Sequence, residues 1–163
     1  MFKDGRFSKI KIAPIELNDG EIKFVEDLEE YLNKNPIENS EIFLLRNKSK
    51  AGIGFFEDGG FYPDFILWIL KDGKQYINFC DPKGIRNLNP KNDPKINFHK
   101  SLKEKEAKLA DSSIVLNSFI ISNTPFNKIQ DLHSDITKIE MDTKNVLFQN
   151  ENGYINNMFA KIL

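Results

Sequence analysis

The stretch GGFYPDFILWILKDGKQYINFCDPKG, residues 59–84, decides the reading of this chain. Phe61 to Leu70 is almost continuously apolar and rich in aromatic and β-branched residues, the pattern of a strand buried on both faces. Asp72-Gly73 is a strong hairpin turn signal, and Gln75 to Cys80 supplies the return strand. Two acids interrupt this apolar pair. Asp64 lies early in the first strand and Asp81 ends the second, with Lys83 two residues on. Side chains alternate along a strand, so Asp81 and Lys83 leave on the same side. A turn centred on Asp72-Gly73 brings Asp64 opposite Asp81 within a residue or two. Buried acids are costly unless paired, so a hairpin that gathers two acids and a lysine in apolar surroundings points to a metal site.

Outward from the hairpin, the elements alternate between strand and helix. Residues 7–17 alternate weakly around Pro14 and read as an N-terminal arm or edge strand. Asn18-Asp19-Gly20 introduces a helix over 21–33, with Phe24, Val25, Leu28, Tyr31 and Leu32 at helical spacing. Glu21 falls on that apolar face. It reads either as an inward acid or as a capping-box partner of Asn18. EIFLLR, residues 41–46, is a short buried strand. The glycine-rich loop that follows carries Lys48 and Lys50, which suits approach to a phosphate backbone and equally a solvated turn. Glu57 in that loop is a further acid or a loop cap.

Beyond the hairpin, residues 85–97 form a polar, proline-interrupted connection made basic by Arg86, Lys91 and Lys95. Residues 98–109 read as a charged surface helix with intrahelical pairs. SIVLNSFIIS, residues 113–122, is a buried strand. A short helix over 127–133, a strand over 145–149 and an amphipathic helix over 153–163 complete the chain.

Composition narrows the classes. With 163 residues and no shift in composition, a single domain with its own core is expected. A net charge of −1 gives no bulk attraction for nucleic acid or membrane, so any nucleic-acid contact must rest on local basic patches. The single cysteine, Cys80, excludes an internal disulfide and a cysteine-based zinc site. It should pack on the sheet face opposite Asp81. The N-terminus lacks the apolar core of a signal peptide and no run is long enough to span a bilayer. The expectation is a cytoplasmic protein without a membrane partner. His99 and His133 stand without a nucleophile pattern, and no phosphate loop ending in Gly-Lys-Ser/Thr is present.

Acid-x-lysine triplets recur along the chain, at Glu21-Ile22-Lys23, Asp72-Gly73-Lys74 and Asp93-Pro94-Lys95 among others. Only Asp81-Pro82-Lys83 ends an apolar strand that follows a second strand carrying an acid, and Pro63-Asp64 is the one Pro-Asp pair. In this context the order of elements resembles the PD-(D/E)xK nuclease core. The wording resembles the C-terminal endonuclease region of type III restriction enzyme Res subunits. The pieces that carry this are LNDGEIKFVEDLEEYL (17–32), FLLRN (43–47), GIGFFEDGGFYPDFILW (52–68), YINFCDPKG (76–84), LNSFIISNTPF (116–126) and NVLFQ (145–149). Phe-Tyr-Pro-Asp-Phe and Asp-Pro-Lys-Gly are the specific ones.

The resemblance implies an α/β fold with a restriction-endonuclease-like core, a central mixed β-sheet flanked by helices in the order αβββαβ. It implies a metal-dependent DNA endonuclease in which Asp64 and Asp81 bind Mg²⁺, with Mn²⁺ as a substitute. Lys83 would be the catalytic lysine, Glu21 the helix glutamate that completes the metal site, and Pro82 a backbone carbonyl ligand. Lys48, Lys50 and Arg86 are the candidate DNA contacts. Res subunits carry an ATP-driven helicase motor ahead of this region and this chain contains none. The implied object is therefore an excised domain, a fragment or a standalone relative, with helicase and methyltransferase subunits of a restriction-modification system as partners. The rival expectation is a catalytically degenerate nuclease-fold module that docks onto a helicase or methyltransferase.

Overall fold

A computed structural model describes residues 16–48, 52–55 and 60–163. The elements run α1 (Asp19–Lys34), β1 (Ser40–Arg46), β2 (Phe65–Lys71), β3 (Lys74–Lys83), α2 (Pro94–Leu109), β4 (Ile114–Ser122), α3 (Phe126–Gln130), α4 (Lys138–Thr143), β5 (Val146–Phe148) and α5 (Tyr154–Ile162). The strands form one five-stranded sheet in the order β1-β2-β3-β4-β5. The β1–β2 and β2–β3 pairs are antiparallel; β3–β4 and β4–β5 are parallel. The protein is an α/β fold with a mixed sheet flanked by helices.

The hairpin forms as its turn residues dictate. Asp72 and Gly73 both have positive φ, 51° and 75°, as a two-residue turn between twisted strands requires. Lys71 then pairs with Lys74 and the ladder runs back to Phe65 opposite Cys80. The parallel β3–β4 step needs a crossover, and α2 supplies it. Asp93 caps α2 by accepting from the backbone N–H groups of Lys95 and Ile96, and Pro94 opens the first turn.

Alternation assigns the two sheet faces. Phe65, Leu67, Ile69, Cys80, Phe119, Ile121 and Leu147 pack with Phe24, Val25 and Leu28 of α1 and with Ile155, Met158, Phe159 and Ile162 of α5. The opposite face meets α2 through Phe98 and Leu102, packed with Ile66, Phe79 and Leu116. Next to it, Ile129 of α3 and Met141 of α4 pack with Ile120, Val146 and Phe148. A buried polar pair crosses the sheet within this apolar setting. Asn117 Nδ2 donates to Asn78 Oδ1 at 2.9 Å, and Asn78 Nδ2 donates to the Leu67 carbonyl at 2.9 Å.

Several boundaries differ from the sequence reading. β2 begins at Phe65 rather than Phe61, so Asp64 enters the strand instead of lying inside it. Pro63 has no N–H for a ladder, and Phe61 forms an isolated bridge with Phe55. β3 extends to Lys83, which keeps Asp81 within the strand. α2 starts at Pro94 rather than Phe98, because proline at the first helical position initiates a helix. α4 has no counterpart in the sequence reading: its single buried residue, Met141, offers no periodicity. Of the expected N-terminal arm, Glu16 and Leu17 belong to no helix or strand, and the rest lies outside the described residues, as do Lys50 and Glu57.

Candidate active-site cleft

The hairpin register sets the geometry. Continuing the ladder one step past Phe65–Cys80 places Asp64 opposite Asp81. Both side chains lie on the sheet face covered by α2, with Asp81 and Lys83 two residues apart on it. A cleft of about 580 Å³ opens there, lined by Glu21, Asp64, Asp81, Pro82 and Lys83 together with Asn18, Phe61, Lys95 and Asn123. All five sequence-predicted metal and catalytic residues therefore share one cavity. Lys48 and Arg86 are exposed but do not line it. Lys95, read only as part of a basic connection, does.

The two aspartates interact with each other. Asp81 is 4% exposed. Burial first, then a hydrogen bond and the charge of Asp81, push the pKa of Asp64 up to about 7, against an opposing pull from Arg46. Lys83 Nζ contacts Asp81 Oδ2 and lies 5.3 Å from the centre of the Phe61 ring. Despite that ionic contact, Asp81 Oδ2 is buried without a hydrogen-bond partner.

Glu21 occupies a different position from the one expected of a ligand. One carboxylate oxygen, Oε2, accepts from the Asn18 backbone N–H at 3.0 Å, while Asn18 Oδ1 accepts from the Glu21 N–H at 3.1 Å, a complete capping box. The other, Oε1, accepts from Arg46 Nη2 at 2.8 Å. Both earlier readings of this residue hold together: it is inward-facing and it is the cap. Among the described residues no group of three or more His, Cys, Asp and Glu side chains converges as a metal cluster. The donor set that does converge is the Asp64–Asp81 pair.

Arg46 is the residue the sequence reading missed. Its Nη1 stands 3.6 Å from Asp64 Oδ1 and donates to the Asp64 carbonyl at 3.2 Å, and its guanidinium lies 4.8 Å from the Phe65 ring centre. The strand end is fixed by its neighbour. The Asn47 N–H donates to the Asp64 carbonyl at 2.8 Å, and Asn47 Nδ2 donates to the carbonyls of Ile53 and Pro63, both at 2.8 Å. The available signal was a single charge ending the apolar strand EIFLLR, the strand that β2 pairs with.

The pair of acids fits a hard divalent cation. Aspartates crowded enough to retain a proton lower their mutual repulsion by sharing a positive ion. Mg²⁺ in particular is held by one or two carboxylates with waters in its remaining positions. Cys80 sits on the other face, fully buried, with burial raising its thiol pKa, and takes no part. His99 is half-buried, with burial lowering its pKa, and lies away from the cleft. No helix among the described residues is long and apolar enough to cross a membrane. No family model matches the chain, and neither does a curated protein or a solved structure.

Proposed function

We propose that this chain is a metal-dependent DNA endonuclease domain of the PD-(D/E)xK type, related to the nuclease region of type III restriction enzymes. One observation carries the reading: Asp64 and Asp81 face each other at the end of one hairpin, with Lys83 on the same face of β3. The succession α1-β1-β2-β3-α2-β4 supports it, being the order αβββαβ of that nuclease core.

In this reading Asp64 and Asp81 hold Mg²⁺ or Mn²⁺. When bound, the cation supplies Lewis acidity for a phosphate oxygen and a bound water of lowered pKa. The protein's own groups do the rest. Lys83, held beside Asp81 and over Phe61, directs its ammonium into the cleft, where it offsets charge on the attacked phosphate and orients the attacking water. Lys95, exposed at the start of α2 and lining the same cleft, would contact an adjacent phosphate of the strand. The test is cleavage of supercoiled plasmid with Mg²⁺. Wild type should cut, and Asp64→Ala, Asp81→Ala and Lys83→Ala should not, with unchanged circular dichroism. Wild-type cutting by each variant would sink the mechanism.

The engagement of both Glu21 oxygens favours a second reading, a nuclease-fold module that no longer cuts and docks onto a helicase or methyltransferase. Mn²⁺ binding that persists without cleavage, even with partner subunits supplied, would select it.

A further inference from the structure

We propose that Arg46 is an internal counter-cation of the cleft, one that a divalent cation must displace electrostatically and that therefore sets the affinity of the site. The inference rests on the reading of Asp64 and Asp81 as a cation site and adds a residue that opposes it.

Arg46 reaches across two elements. From the end of β1 it forms its shortest bond with Glu21 of α1 and a looser ionic contact with Asp64. Four carboxylates, Asp19, Glu21, Asp64 and Asp81, line this cleft; Arg46 stands behind the lining, its guanidinium between Glu21 and Asp64. It also makes this contact at a cost: its Nε is buried with no hydrogen-bond partner. A side chain present only to pack on Phe65 would not need a charged head, and one present only to balance Glu21 would not need to reach Asp64. The position matches that of a charge standing in for a cation. Asp81 has its own cation in Lys83, whose Nζ contacts Oδ2, so Arg46 serves the Asp64 side of the pair.

The sign of one measurement separates this from a supporting role. If Arg46 merely holds Asp64 in place, removing it loosens the pair and weakens metal binding. If it competes, removing it strengthens binding. Coulomb's law, at the screening of a half-open cleft, makes the gain about tenfold. Calorimetric titration of Mn²⁺, without DNA, should be run on wild type, Arg46→Met, Arg46→Lys and Asp64→Ala/Asp81→Ala. The expected result is about tenfold tighter binding by Arg46→Met and near wild-type binding by Arg46→Lys, which keeps the charge should the methionine variant fail to fold. Arg46→Met that is folded by circular dichroism yet binds equally or more weakly overturns the proposal, as does Arg46→Lys binding more tightly than wild type. Failure of the underlying site looks different: neither wild type nor any variant binds, or the double-alanine variant binds as well as wild type.

Discussion

Asp64 lies across from Asp81 one step beyond the last ladder pair of the hairpin, and that proximity, added to burial, holds a proton on Asp64 up to a pH of about 7. Two acids brought so close in a half-buried cleft cannot both ionise cheaply. The site is thus assembled before any ligand arrives.

Stability should report this proton. The folded protein keeps it on Asp64 above the pH at which the unfolded chain, near 3.8, releases it. The contribution of Asp64 to stability therefore falls as pH rises from about 4 to about 7 and is level above that. Asp64→Asn removes the titration. Urea denaturation across that range should show the variant losing this decline and exceeding wild type in stability at pH 8. A decline of equal slope in both proteins would mean that Asp64 titrates normally.

Loss of either aspartate should remove Mn²⁺ binding by at least about tenfold, the worth of one carboxylate ligand at roughly 1.4 kcal/mol. Lys83→Ala should abolish cleavage while Mn²⁺ binding is kept and tightened, since removing the ammonium beside Asp81 takes away a like charge as well as the group that serves the phosphate. Calorimetry and plasmid assays on the same preparations separate the two roles.

Glu21 is a structural acid whatever else it does. Glu21→Ala removes the reciprocal cap of α1 and leaves Arg46 without its closest partner. The expected cost is about 2–4 kcal/mol in urea unfolding, a lost cap plus a broken buried ion pair. Glu21→Gln keeps an acceptor for the Asn18 N–H and should cost about half as much.

Asn117→Ala tests the polar pair inside the sheet. It leaves Asn78 Oδ1 buried without its donor, at a cost of about 1–3 kcal/mol. Mn²⁺ affinity should not change, because the pair lies on the face away from the cleft. A change in affinity would indicate that the two faces communicate through β3.

The hairpin and its two acids were legible because everything that places them is local: a two-residue turn, alternation along strands, and an apolar background that makes a charge conspicuous. Arg46 was not legible for the converse reason. Its partners stand 25 and 18 residues away, on a helix and just ahead of the neighbouring strand, and nothing within EIFLLR announces them. Glu21 shows the limit of local reading most clearly. Its spacing from Asn18 and from Phe24 supports a cap and an inward acid equally, and only the tertiary approach of Arg46 reveals that it is both. The start of α2 and the whole of α4 escaped because Pro94 looks like an interruption and Met141 stands alone on its face.

The type I′-like turn at Asp72-Gly73 sits at the far end of the sheet from the cleft, yet it fixes which residue of β3 meets Asp64. The consequence concerns chain length rather than composition. One residue inserted or deleted anywhere between Phe65 and Cys80 would carry one acid to the opposite face, among the side chains of α1 and α5. A variant that exchanges one apolar residue for another along this hairpin keeps the two acids facing each other, whereas one that changes the residue count keeps them so only with a compensating bulge. The facing of the two acids is thus specified by a count of residues more than by their identities.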